Sequence, residues 1–245
     1  MNAAAAFPVA YWLNTAGWLH LLGYGVALPL LVILARRKTL GTQKGGDGAP
    51  PDRLKHFQGT TFELTILAGC SLAVAWGQEL DLFPRVLPSL RHILAGVVAY
   101  AAAVAYMWPR WRRAVERNAR VVHLYMPSNG TERGWWFAVS TLAGVGEEIT
   151  WRGVQTALLV ALTGNYTAAA LLCALSFGAA HAIQGWKSAA VIVVFALGFQ
   201  FLVWFTGSLY VAMAVHIIYD ITAGLQYGRL GRELGYKVAQ APVAN

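Results

Sequence analysis

Seven apolar stretches, each close to the length of a bilayer-spanning helix, restrict this chain of 245 residues to a membrane fold. A helix needs about 20 consecutive apolar residues to cross the hydrocarbon core. Charged residues make up 12% of the chain, about half of the roughly 25% that is usual in soluble domains. The pattern predicts an all-α, polytopic membrane helix bundle with about seven transmembrane helices, at residues 15–35, 60–78, 92–108, 135–162, 167–185, 188–206 and 208–226.

The basic residues are distributed unevenly between the predicted loops. With seven spans, all but three of the 19 lysines and arginines fall on one side of the membrane. Cytoplasmic loops carry the basic excess in membrane proteins, so we expect the N-terminus outside and the C-terminus in the cytoplasm, in a bacterial inner or plasma membrane. Contact with anionic membrane lipid explains the net charge of +8 without a nucleic-acid partner.

The spans divide the chain into four predicted regions. Residues 1–59 hold the first helix and a basic linker over 39–56, where the Gly and Pro content predicts mobility. Residues 60–134 hold two helices and a basic, amphipathic cytoplasmic segment. Residues 135–226 form a four-helix core that carries the chemistry, and residues 227–245 form a basic cytoplasmic tail.

Three ionisable residues, Glu147, Glu148 and Arg152, lie inside the fourth apolar stretch. An ionisable side chain at membrane depth is costly and marks a functional site by default. Glu148 and Arg152 are four residues apart and share a helix face, so we expect them to pair. Glu147 lies about 100° around the helix from Glu148 and is left for another role.

Two further motifs place polar groups on later helices. Phe177 and His181, and likewise His216 and Asp220, are four residues apart and share a face. A carboxylate and an imidazole can hold a water molecule and take its proton, and a second imidazole can stabilise an oxyanion. The set therefore predicts amide hydrolysis by an activated water. The alternative is a zinc site with Glu147, His181 and His216 as ligands.

The other polar residues within the spans are assigned to packing. His20 in the first span and Gln200 in the sixth are predicted to form hydrogen bonds between helices. The sequence contains neither a His-Glu-x-x-His motif nor a Gly-x-Ser-x-Gly nucleophile elbow. The candidate site is therefore the three-motif set.

In their order on successive helices, the three motifs resemble those of the CPBP (CAAX protease and bacteriocin-processing, Abi) family. The motifs are Glu147-Glu148-x-x-x-Arg152, Phe177-x-x-x-His181 and His216-x-x-x-Asp220. The resemblance covers roughly residues 135–226 and implies a membrane-embedded endopeptidase of the glutamic type, with no cofactor favoured.

The resemblance also implies a role for each motif residue. Glu147 activates the water and His181 assists it. His216 and Asp220 form the side that stabilises the oxyanion. The supporting residues are Glu148, Arg152 and Phe177. In the prenyl-protein endopeptidases of the family the last motif ends in Asn, whereas an ionised aspartate cannot donate a hydrogen bond. Asp220 is therefore either protonated or sets the tautomer of His216.

The expected substrate is a peptide or a membrane protein. Prenylated CAAX chains are what the family name implies, and a bacterial leader peptide or a C-terminal sorting tail is an equal candidate. Two alternatives to a metal-free protease stay open: a zinc-dependent version of the same protease, and a non-catalytic membrane module for peptide binding or immunity.

Overall fold

Capping residues and glycines set the ends of the helices in the computed structural model, which describes residues 13–42, 51–117 and 119–237. Asp52 and Asn129 accept hydrogen bonds from backbone N–H groups in the first turn of the helices that follow them. Gly164 and Gly207, at φ +64° and +66°, end two other helices in the left-handed conformation. Such N-caps and C-terminal glycines satisfy or redirect backbone groups that a helix end leaves unpaired.

Seven helical stretches and no strand occur in the described ranges. They are Thr15–Leu22 continuing through the π-helical turns Gly23–Ala27 into Leu28–Thr42 (α1); Arg53–Gly77 (α2); Leu90–Glu116 (α3); Gly130–Glu147 continuing through the π-helix Glu148–Gln155 into Thr156–Thr163 (α4); Tyr166–Ala180 (α5); Trp186–Thr206 (α6); and Tyr210–Glu233 (α7). Short 3-10 helices lie at Arg120–Tyr125 and Ala182–Gln184. The predicted all-α bundle is confirmed.

Four of the described helices are long and apolar enough to cross a membrane: Thr15–Arg36, Arg53–Gly77, Leu90–Glu116 and Trp186–Thr206. Their outward surface is apolar, as Trp76 illustrates with 86% of its surface exposed. The chain is therefore an integral membrane protein. The helix α5 is apolar but shorter, and α4 and α7 carry the ionisable motif residues, so the crossing of the bilayer by these three helices stays a prediction.

The observed helix ends shorten the linker predicted at 39–56. The first helix continues to Thr42, and Asp52 starts the next one at Arg53. Residues 43–50 of that linker lie outside the described residues, as do residues 238–245 of the predicted tail. The basic, amphipathic segment that the sequence places at 111–125 is divided between the end of α3 at Glu116 and the separate 3-10 helix Arg120–Tyr125.

The helix α4 lies at the centre of the bundle, with α2 and α7 against its first part and α5 against its later part. Close approach to α7 depends on Gly144, where a Cβ would lie 2.8 Å from the backbone nitrogen of Ile217. Close approach to α2 depends on Gly146, where a Cβ would lie 3.2 Å from the Leu64 carbonyl oxygen. These contacts bring the glutamates of α4 next to the histidine of α7.

Candidate active site

The two glutamates lie where α4 changes from α-helix to π-helix, with Glu147 ending the first and Glu148 starting the second. A π-helix has wider i→i+5 turns, is rare, and is often found at functional sites. The Glu148–Arg152 pair predicted from their spacing is present, with Arg152 Nη1 3.3 Å from Glu148 Oε1 and side chains 1% and 0% exposed. Arg152 also lies over the rings of Phe177 and Phe199, at 4.3 and 5.3 Å.

His216 connects the two glutamates. Its Nδ1 lies 2.9 Å from Glu148 Oε1, and because a carboxylate accepts, Nδ1–H is the donor. Its Nε2 faces Glu147 Oε2 at 3.8 Å and Asp220 Oδ2 at 3.6 Å. The ring stacks on Phe199 with centroids 5.1 Å apart. Packing and the Glu148 bond thus fix the ring so that Nε2 points at the two other carboxylates.

His181 approaches Glu147 from the other side. Its Nδ1 lies 2.8 Å from the Phe177 carbonyl oxygen, which can only accept, so the proton belongs on Nδ1. In the neutral tautomer Nε2 is then the acceptor, and it faces Glu147 Oε1 at 4.0 Å. A small molecule hydrogen-bonded to both atoms at about 2.8 Å each fits such a separation. The Phe177-x-x-x-His181 motif therefore sets the tautomer of the histidine through the backbone, one helical turn away.

The structure brings together all four residues predicted to be catalytic: Glu147, His181, His216 and Asp220. Sequence reasoning missed the bond from His216 to Glu148, because it joins residues 68 positions apart. It also missed Phe199. Phe195 and Phe199 repeat the spacing of four seen in the motifs, and both face the same cavity, so this spacing was the available signal.

The site opens into a cavity of about 1110 Å³. Its lining along α7 runs from His216 to Tyr227, and the acidic residues that line it in the described chain are Glu147 and Asp220. Glu148 and Arg152 do not line it. Basic side chains line it as well: Arg110, Arg113, Arg117 and Lys187. The cavity wall therefore carries carboxylates beside His181 and His216, and basic side chains on the other elements that line it.

A partly buried ionic cluster fixes the loop beside this cavity. Arg53 donates to Glu132 at 3.1 Å and lies 3.1 Å from His123 Nδ1, while His123 Nε2 is 3.0 Å from the Pro51 carbonyl. Burial raises the pKa of Glu132, but hydrogen bonds from Ser128 and Arg53 outweigh it and hold that pKa below its usual value. Burial, aided by the Arg53 charge, lowers the pKa of His123. The His123 ring is therefore neutral, because only a neutral imidazole can accept a hydrogen bond from the Arg53 guanidinium.

The side chains of the zinc alternative, Glu147, His181 and His216, lie farther apart than the ligands of a bound zinc, and metal dependence stays a prediction. Within the described part of the chain, no group of three or more His, Cys, Asp or Glu side chains is arranged to hold a metal ion. The ring nitrogens of His181 and His216 lie 4.0 and 3.8 Å from Glu147 oxygens, whereas donors around a tetrahedral zinc are about 3.3 Å apart.

Residues 129–222 match the family described as Type II CAAX prenyl endopeptidase Rce1-like. The matched segment starts at the N-cap of α4 and contains every motif residue, so the family resemblance drawn from the motifs is confirmed. No curated protein and no solved structure matches the chain.

Proposed function

Because residues 129–222 match the family of Type II CAAX prenyl endopeptidases, we propose that the chain is an intramembrane endopeptidase that hydrolyses a peptide bond with a water activated by Glu147 and His181. The observation that carries the proposal is the position of the Glu147 carboxylate between two imidazoles, 4.0 Å from one and 3.8 Å from the other, at the wall of a cavity large enough for a peptide. General acid–base groups act from such positions.

The first step uses Glu147 and His181. A water held between Glu147 Oε1 and His181 Nε2 gives a proton to the carboxylate while its oxygen attacks the carbonyl carbon of the scissile bond. His181 orients this water through its unprotonated Nε2, because Nδ1–H is engaged by the Phe177 carbonyl. The carbonyl oxygen becomes the oxyanion of a tetrahedral intermediate.

The second step uses His216. With a proton on both ring nitrogens, His216 donates one to Glu148 and presents the other, on Nε2, to the oxyanion. Asp220, 3.6 Å from Nε2, holds that ring edge without being the donor itself. The intermediate collapses as Glu147 passes the proton to the leaving nitrogen and the C–N bond breaks. One water is consumed, and a carboxylic acid and an amine are released.

Glu148 and Arg152 support the reaction from behind the cavity wall. Both are buried, and neither lines the cavity. Glu148 orients His216 through its hydrogen bond, and Arg152 balances the charge of Glu148. This arrangement matches the predicted supporting roles, which we retain as part of the proposal.

The basic lining favours substrates with a carboxylate near the scissile bond. On α3, Arg113 and Arg117 face the cavity, and no ion pair engages them within the described residues, whereas Arg112 points elsewhere and pairs with Glu116. From His216 to Tyr227 the cavity follows α7 for about 16 Å. An extended peptide covers that length with about five residues. A prenylated C-terminus, a leader peptide or a sorting tail can each supply such an acidic group.

The charge preference is tested with pairs of peptides that differ in one group, carboxylate or amide, within five residues of the cleaved bond. The wild type should show a higher kcat/KM for the carboxylate member. The double variant Arg113→Gln plus Arg117→Gln should lose this preference and keep activity on the amide member, whereas Arg112→Gln should keep it. A preference that survives in the double variant would contradict the assignment.

The hydrolysis itself is tested with Glu147→Gln in purified protein reconstituted in lipid. Glutamine keeps the size of the side chain but cannot take a proton, so kcat should fall by about 10²- to 10⁴-fold. Glu63→Gln is the matched control, because Glu63 is a glutamate of α2 that does not line the cavity. Near wild-type cleavage by Glu147→Gln, or binding of peptides without cleavage by the wild type, would favour another base or the non-catalytic binding module.

A further inference from the structure

A buried chain of polar groups connects the first helix to the π-helix of the active site. His20 Nδ1 lies 3.0 Å from Gln155 Oε1, and His20 Nε2 lies 3.0 Å from Ser71 Oγ. Ser71 Oγ in turn lies 2.8 Å from Thr150 Oγ1. None of the four residues is more than 4% exposed. Thr150 and Gln155 both belong to the π-helix, so one imidazole is connected to it at two points.

The donors at the two ends of this chain of polar groups are set by neighbouring backbone carbonyls. Gln155 Nε2 donates to the Leu21 carbonyl at 3.3 Å, so its Oε1 is free to accept from His20 Nδ1. On the other side, Thr150 already donates its one hydroxyl proton to the Gly146 carbonyl at 2.7 Å. The single proton of Ser71 therefore serves both Thr150 Oγ1 and the other nitrogen of the neutral ring. Because an unpaired buried polar group is costly, the network resists displacement of the residues that it joins.

Ring and backbone contacts reinforce the connection. Tyr24, in the π-helical turns of α1, packs edge-to-face against His20 and Trp151, with centroids 4.8 and 6.2 Å apart. The carbonyl of Tyr24 accepts a hydrogen bond from Ser176 Oγ at 3.2 Å. A Cβ at Gly25 would overlap the side-chain amide of Gln155. The two π-helical segments of the molecule therefore lie against each other.

The π-helix needs such support, because its geometry is disfavoured in isolation and persists where surrounding structure imposes it. Thr150 lies between Glu148 and Arg152 in the sequence, so a shift of this segment moves Glu148 away from His216. Neither His20 nor Ser71 lines the cavity, and so neither touches a bound substrate. We propose that His20 is a positioning residue that holds the π-helix in the register needed to aim Glu147 and Glu148 at His216.

This inference rests on the proposed function, and two readouts test it in full-length protein reconstituted in lipid. His20→Phe keeps a buried ring but removes both nitrogens. Its kcat should fall by about 10- to 100-fold, the usual effect of a misplacement of about 1 Å, while KM stays at the wild-type value. His20→Gln, which offers one donor and one acceptor, should recover part of kcat. Amide hydrogen exchange over residues 146–156 should be faster in His20→Phe.

The matched control is Gln78→Leu. Gln78 is also buried, and it connects the end of α2 to the residue before α1 by a 3.0 Å hydrogen bond to Asn14. Within the described residues, no hydrogen bond joins its side chain to the π-helix. The Gln78→Leu variant should have a lower melting temperature than the wild type and an unchanged kcat. An equal loss of kcat in Gln78→Leu, or wild-type kcat and exchange in His20→Phe, would overturn the proposal. If the wild type cleaves no peptide, the proposed function fails, and the exchange measurement still decides whether His20 positions the π-helix.

Discussion

Replacement of Arg152 by methionine tests how the buried ion pair contributes to the stability of the site. Arg152→Met keeps a flexible side chain that can pack against Phe177 and Phe199, but it leaves the fully buried Glu148 charge with His216 as its remaining partner. Removal of one partner of a buried pair usually costs about 3–5 kcal/mol. At about 2–4 °C per kcal/mol for a chain of this size, the melting temperature should fall by about 6–20 °C.

The double variant Glu148→Gln plus Arg152→Met removes the buried charge as well. The introduced glutamine can still accept the hydrogen bond from His216, and replacement of a whole buried pair by neutral groups is often neutral or stabilising. We therefore expect the double variant to be more stable than Arg152→Met by at least about 2 kcal/mol, within the range measured for directly coupled residues. Both variants should lose activity. The double variant lacks the Glu148 charge that orients His216, and Arg152→Met leaves that charge without its arginine partner.

The control is the exposed pair Arg112–Glu116, which has the same spacing of four. Its 2.8 Å separation is shorter than that of the buried pair, but its side chains are 57% and 45% exposed. Such pairs contribute about 0–1 kcal/mol, so Arg112→Met should change the melting temperature by no more than a few degrees. Thermal unfolding in one detergent measures all variants. Equal losses in Arg152→Met and the double variant would refute a direct pair, and an equal loss in Arg112→Met would refute the argument from burial.

Metal dependence is tested by dialysis against a strong zinc chelator: activity should survive and metal analysis should find far less than one zinc per chain, whereas activity lost with stoichiometric zinc and regained on its return would establish the zinc-dependent alternative. Reporter fusions at residue 45, within 79–91 and after Gly231 should give cytoplasmic, external and cytoplasmic signals, and an external signal at the last would contradict the predicted orientation. Burial lowers the pKa of His123 in the folded protein. Below about pH 6.5 the unfolded chain therefore binds more protons than the folded protein, and the free energy of unfolding decreases as the pH is lowered. His123→Gln should therefore lose less melting temperature than the wild type between about pH 7 and pH 5, and an equal loss would contradict this role of the His123–Arg53 contact.

Helical periodicity predicted the parts of the site that lie within single helices. A spacing of four fixed the Glu148–Arg152 pair and the shared faces of Phe177 with His181 and of His216 with Asp220. The same periodicity left Glu147 off the pairing face, and the structure places it between the two histidines. Apolar length predicted the membrane bundle and four of its spans. These features depend on local geometry, which a sequence encodes directly.

The order of residues along the chain is thus enough to predict an α-helical membrane protein with acid–base groups on particular helix faces. How these helix faces meet is visible in the packed bundle alone. The bond from His216 to Glu148 and the His20 network both depend on contacts between helices distant in sequence. Such contacts have no periodic signal along the chain, because they follow from how closely small residues such as Gly144 let the helices approach.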